Sequence, residues 1–140
     1  NARTPMQWDN STSAGFTTGT RPWLAVNPNY KEINAQEELA NPGSVYHYYQ
    51  KMIELRSKSP ALVYGDYRDL DPTNPTVFTY NRTLGSEQYL VVLNFSAVAT
   101  TYTLPGGIKA GTLRLTNLGG KEEQTKSLNL KPWEARVYRQ

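Results

Sequence analysis

Twelve carboxylates, fifteen lysines and arginines, one histidine and no cysteine bound the chemistry open to this 140-residue chain. Without cysteine there is no disulfide scaffold, no thiolate metal site and no thiol nucleophile. The single histidine, His47, excludes a multi-histidine metal centre, and no G-x-S-x-G turn supplies a serine for it to activate. It reads as a packed or surface residue of a helix. Neither G-x-x-x-x-G-K-[ST] nor G-x-G-x-x-G occurs, so the Gly106-Gly107 and Gly119-Gly120 pairs read as hairpin turns and not as phosphate cradles. Asp69-Leu70-Asp71-Pro72-Thr73-Asn74 gathers oxygen ligands, but a calcium loop wants glycine at its sixth position and glutamate at its twelfth, where Asn74 and Tyr80 stand. Acid–base cleavage of a glycosidic bond needs two facing carboxylates about 5–9.5 Å apart. Glu37-Glu38 and Glu122-Glu123 are only sequence neighbours in polar stretches, and a solvated face is the expectation for both. No catalytic residue, metal ligand or cofactor site is therefore expected within the chain. The three N-x-[ST] sequons, at Asn10, Asn81 and Asn94, read as chance occurrences, two of them in expected strands.

The elements that position these residues fall into two kinds. Residues 1–43 carry seven prolines and glycines with Trp8, Phe16, Trp23 and Tyr30 between them. A loop this long is usually functional or packed on something larger, and its aromatics need a surface to cover. A short helical turn is expected over 34–39. Asn41-Pro42 reads as a helix start, followed by a helix over 44–57 whose Val45, Tyr48, Tyr49, Met52 and Leu55 form an apolar stripe. Tyr46 and Ile53 widen that stripe beyond what a surface helix needs, and Pro60 is expected to stop the helix. Beyond residue 64 the pattern changes to short strands at 67–70, 77–82, 88–95, 100–104, 112–116, 127–130 and 134–139, separated by Pro, Gly, Asn and Asp clusters. This predicts a mainly β fold with an antiparallel β-sandwich. Tyr89-Leu90-Val91-Val92-Leu93, apolar on both faces, should be a central strand covered on both sides.

Formal net charge is +3, but the basic residues are scattered, so no nucleic-acid footprint is expected. No apolar run approaches the roughly 18 residues needed to cross a bilayer, and no membrane partner is expected. The opening Asn1-Ala2-Arg3-Thr4 is neither an initiator methionine nor a signal peptide. The chain reads as a piece of something longer, with a cytoplasmic setting as the default.

Ordered segments carry a specific resemblance. Asn1-Ala2-Arg3-Thr4-Pro5-Met6-Gln7-Trp8-Asp9, Ala14-Gly15-Phe16-Thr17-Thr18-Gly19, Pro22-Trp23 and Val26-Asn27-Pro28-Asn29-Tyr30 closely resemble the α-glucosidases of glycoside hydrolase family 13, in the group of oligo-1,6-glucosidases and sucrose isomerases. The likeness continues through Tyr48-Tyr49-Gln50-Lys51-Met52-Ile53-Glu54-Leu55-Arg56, Pro60-Ala61-Leu62-Val63-Tyr64-Gly65, Tyr89-Leu90-Val91-Val92-Leu93-Asn94-Phe95 and Leu130-Lys131-Pro132-Trp133.

The resemblance implies that residues 1–63 are the end of a catalytic (β/α)₈ barrel, the loop after strand eight plus the final helix, and that residues 64–140 are a C-terminal β-sandwich. It implies a retaining mechanism in which an aspartate attacks the anomeric carbon, a glutamate serves as acid and base, and a second aspartate holds the sugar hydroxyls. All three precede this chain in the family, as does the Arg-Asp pair whose arginine grips the glucose. Arg3 matches the second arginine of that pattern and is the one substrate-proximal candidate, with a structural ion pair the stronger expectation. The implied partners are the N-terminal catalytic barrel of the same enzyme and a short oligosaccharide or sucrose. The alternatives are a sucrose isomerase and, from another class, a carbohydrate-binding sandwich using Trp8, Trp23 or Trp133, for which packing is the stronger expectation.

Overall fold

The structure, a computed structural model, describes residues 3–119 and 125–140. Two compact units follow one another along the chain, Asn1–Gln50 and Lys51–Gln140. Asn1, Ala2, Gly120 and the Glu122-Glu123 pair lie outside the described residues.

The first unit is mostly irregular chain with two 3₁₀ turns, Thr12–Gly15 and Pro28–Lys31, and a short helix α1, Ala35–Ala40. Side chains close it. The Asn34 carboxamide accepts from Glu37 N at 2.9 Å as the α1 N-cap and donates to Tyr30 O at 2.9 Å. Helix α2, Val45–Ser57, begins in this unit and ends in the next. Its start differs from expectation. Asn41-Pro42 forms a turn, with Asn41 Oδ1 accepting from Gly43 N at 2.9 Å. The capping work passes to Ser44, whose Oγ accepts from His47 N at 3.3 Å, and to the Glu38 carboxylate, which accepts from Tyr46 N at 3.1 Å. Cap choice is thus settled by a glutamate six residues upstream of Ser44, which a local signal does not reveal.

In the second unit Pro60 does not merely end α2. It opens α3, Pro60–Tyr64, from the first-turn position where its missing N–H costs nothing. Among the described residues seven strands follow: β1 Asp66–Asp69, β2 Val77–Leu84, β3 Glu87–Asn94, β4 Thr100–Thr103, β5 Thr112–Thr116, β6 Ser127–Leu130 and β7 Ala135–Arg139. A five-stranded antiparallel sheet in the order β1-β2-β3-β7-β5 faces a two-stranded sheet of β4 and β6. Leu90 and Val92 of β3 and Tyr138 of β7 meet Tyr102, Leu128 and Leu130 of the small sheet in one core, each such side chain contributing about 1.5–3 kcal/mol by leaving water.

Tyr89 to Val92 are all buried, as a two-faced central strand requires. The helix packed on β2 and β3 is the short α3, whose Ala61 is fully buried and donates its N–H to Glu87 Oε2 at 3.0 Å. Helix α2 has no buried residue. Val45, Tyr46, Tyr49, Met52 and Ile53 are all exposed.

Beneath the β6–β7 turn lies a charge pair in the sandwich interior. Glu134, 1% exposed, receives Arg136 Nε at 2.8 Å and Lys131 N at 2.7 Å. Arg136 also donates to Asn129 O at 2.7 Å. Burial alone would push the Glu134 carboxyl up, but the guanidinium and the Lys131 N–H outweigh it and hold the group below its ordinary value. Above this pair Trp133 sits at φ +56°, a left-handed conformation that is an outlier for a bulky residue. Its N–H donates to Ser96 O at 3.0 Å and its carbonyl accepts from Asn117 Nδ2 at 2.8 Å, which fixes the turn.

Candidate functional site

The loop of the first unit is built around one tight reversal. Ser13, Ala14 and Gly15 run consecutively at φ between +56° and +65°, costing roughly 1–2 kcal/mol for each residue with a side chain. The strain is held by Ala14, fully buried, whose carbonyl accepts from Trp8 N at 2.9 Å and Asp9 N at 3.3 Å. Gly15 is required twice over, by its φ of +65° and because a Cβ there would lie 2.6 Å from Asp9 Oδ2. The Asp9 carboxylate accepts from Ser11 Oγ at 2.5 Å and Ser11 N at 2.8 Å, and these bonds hold its pKa below the usual value. Gln7 Nε2 donates to Asn29 Oδ1 at 3.1 Å and to Ile33 O at 2.5 Å. The carbonyls of Gln7 and Trp8 accept from Ala35 N and Gln36 N, which pins the loop to the start of α1.

Gln7 and Asp9 thus spend their side chains on fixing the loop. Arg3 is placed otherwise. Its guanidinium carbon lies 5.9 Å from the centroid of the Trp23 ring, within cation–π range. The two side chains share a concavity of about 390 Å³ with Pro5, Met6, Phe16 and Leu24. The wall is largely apolar with one cation at its edge, the composition of a small-molecule pocket side. Trp23 is 85% exposed, and Trp8 and Phe16 are about half exposed. The sequence singled out Arg3, Phe16 and Trp23, which share this concavity, but not Pro5 and Met6, which carry no chemical signal of their own. Nor did it single out the left-handed run, announced only by Gly15.

The remaining candidates lie elsewhere. His47 is half-buried on α2, its Nε2 3.0 Å from Leu39 O and its Nδ1 3.4 Å from Gln50 Oε1. The Asp71 carboxylate accepts from Asn74 Nδ2 at 3.0 Å and Tyr102 OH at 3.1 Å, so this cluster clasps a turn. Of the sequon asparagines, Asn10 is exposed, Asn81 is buried, and Asn94 is buried with Nδ2 donating to Val98 O and Lys131 O at 2.9 Å. Trp133 is 58% exposed at the far turn of the sandwich.

Comparison with known proteins matches residues 1–65 to the α-amylase catalytic domain and residues 77–137 to the α-amylase SusG C-terminal domain. An oligo-1,6-glucosidase of Parageobacillus thermoglucosidasius is 50% identical over 99% of this chain, which covers 25% of that protein. A glucan 1,6-alpha-glucosidase of Streptococcus pneumoniae is 47% identical over 96% of the chain and 24% of its own length. Among solved structures, isomaltulose synthase from Klebsiella sp. LX3 superposes with a TM-score of 0.94 at 48% identity, over 99% of this chain and 25% of that one. The chain spans about a quarter of the length of the curated relatives it matches.

Proposed function

Because the chain belongs to the α-amylase family of glycoside hydrolases, in its oligo-1,6-glucosidase and sucrose isomerase group, we propose that it works as the C-terminal portion of an exo-acting α-glucosidase. That enzyme hydrolyses α-glucosidic bonds of short oligosaccharides by the retaining mechanism. The observation that carries this reading is the 50% identity to an oligo-1,6-glucosidase across 99% of the chain. In it, residues 1–63 complete a catalytic barrel and residues 64–140 form the bracing sandwich. The nucleophile and the acid/base belong to the N-terminal barrel of the same enzyme, this chain's partner, and hydrolysis through two carboxylates calls for no cofactor.

The 390 Å³ concavity is then one side of the sugar pocket, since (β/α)₈ enzymes build their sites from the loops after the strands. Arg3 over Trp23 holds that wall in place, and a wall displaced by an ångström can cost catalysis without touching sugar. The test is Arg3→Ala in the full enzyme. A brace gives a moderate fall in kcat together with a lower Tm, and a sugar contact gives a fall in kcat/KM at unchanged Tm. Wild-type values for both would overturn the assignment. The 140-residue chain alone should release no p-nitrophenol from p-nitrophenyl α-glucoside.

The superposition on isomaltulose synthase favours a second reading, a sucrose isomerase in which fructose and not water captures the glucosyl intermediate. Product analysis on sucrose separates the two, as isomaltulose or trehalulose against free glucose and fructose. The carbohydrate-binding alternative rests on exposed Trp8, Trp23 and Trp133. It requires maltose or isomaltose to change the tryptophan fluorescence of the isolated chain.

A further inference from the structure

A second cavity, of about 420 Å³, lies wholly within the second unit, between the C-terminal half of α2 and the face of the large sheet opposite the core. Its rim carries Lys51 from α2, Lys58 just past the end of that helix, Arg114 from β5 and Arg139 from β7. Two carboxylates accompany these four cations, and both are engaged. Glu54 is ion-paired with Lys58 at 2.5 Å, and Glu87 accepts the Ala61 N–H. Lys51, Arg114 and Arg139 have no side-chain ion pair or hydrogen bond among the described residues, leaving an excess of two positive charges around one concavity.

A backbone irregularity redirects Arg114. Leu113 pairs with Tyr138 and Leu115 with Val137, so Arg114 is the extra residue of a β-bulge, a device that redirects a side chain. Gly111 lets the chain enter β5 against β7, since a Cβ there would lie 2.0 Å from Arg139 O. At the floor, Ser59 Oγ and Tyr89 OH are 2.8 Å apart, and both residues are at least nine-tenths buried. Two hydroxyls share that one bond. One donates to the other, and the second proton has no acceptor among the described residues although both side chains line the cavity.

We propose that this cavity is an oxyanion-binding site for a small phosphate monoester, gripped by Arg114 and Arg139 and met at its base by the spare Ser59–Tyr89 proton. Guanidinium forks match the oxygen geometry of a phosphate, and the buried hydroxyl fixes depth in a way that a flat basic patch cannot. A dianion is the species that balances the excess charge.

The test is calorimetric titration of the full chain with inorganic phosphate and methyl phosphate, with acetate as a singly charged comparison. Saturable binding of both phosphates, weakening as salt is raised, is expected. Losing a charge-assisted hydrogen bond typically weakens binding by about tenfold or more, so Arg114→Gln with Arg139→Gln should do at least that while Arg68→Gln changes nothing. Tyr89→Phe should weaken binding by a smaller factor. If the double variant does not fold by circular dichroism, Lys51→Gln on the exposed face of α2 carries the test with an expected several-fold loss. No saturable phosphate binding, equal binding of acetate, or phosphate affinity unchanged in the folded variants would each overturn the proposal.

Discussion

The two units of this chain hold their shapes by different means. The sandwich has a ladder of backbone hydrogen bonds and a continuous core of Leu90, Val92, Leu128, Leu130 and Tyr138. The first unit buries Pro5, Ala14, Asn34 and Ser44 and leaves Trp8, Phe16 and Trp23 in solvent. It is closed by the side-chain bonds of Gln7, Asp9 and Asn34 to nearby backbone and side chains. A region with a core carries its own stability, whereas a region stitched by side chains has its conformation specified but its apolar surface uncovered. Uncovered aromatics beside a defined loop are what a pocket wall needs, and a buried core is what a brace needs.

The sharpest way to break this contrast is Glu134→Ala. It strands the Arg136 guanidinium in the sandwich, for which about 3–5 kcal/mol of lost stability is expected, read from urea unfolding. The same pair predicts a pH dependence. Because the folded Glu134 pKa is depressed, its stabilisation is fully present above the ordinary carboxylate pKa near 4.3 and is lost as pH falls through the folded value. Glu134→Gln should flatten that acid limb. Next in size, Leu128→Ala should cost about 2–5 kcal/mol through the cavity it leaves in the core. Neither change should alter the environment of Trp23.

Gly15→Ala probes the other region. With φ at +65° and Asp9 in the way, about 1–3 kcal/mol of local strain should open the loop. Faster hydrogen exchange at Trp8 and Asp9, with the unfolding transition of the sandwich unmoved, is the expected pattern. Met52→Ala should be the mildest. On the partly exposed face of α2 it should cost under about 1 kcal/mol in this chain, below the 2–5 kcal/mol of a buried truncation. A larger loss of Tm in the full enzyme, with KM unchanged, would mean that the helix face is covered there. Equal small losses in both would leave α2 a surface helix.

Much of the sandwich was legible because turn chemistry punctuates it. The strand at 112–116 falls where the alternation predicts and Asp71-Pro72 separates β1 from β2, whereas Gly106-Gly107, expected as a hairpin turn, lies in a 3₁₀ turn between β4 and β5, which belong to different sheets. Resemblance, and not composition, brought out the barrel-loop reading and Arg3. What stayed hidden depends on distant partners. The capping of α2 by Glu38, the pairing of β3 with β7 across more than forty residues, and the Arg114 bulge each require knowing what lies opposite. Glu134, an acid at a strand end, gave no sign that it would be buried, because only the folded sandwich brings Arg136 and the Lys131 N–H to it.

The strand order β1-β2-β3-β7-β5 also has a consequence in time. As the chain is synthesised, β3 and β5 both emerge before the segment that joins them, since β7 is the last strand described. Until residues 135–139 arrive, the sheet exists as two parts with two open inner edges, each able to pair with another nascent chain. Closure is therefore a late event, and a ribosome pause or a nick shortly before residue 135 would leave the protein's most apolar strand, β3, unpaired on the side that β7 should fill.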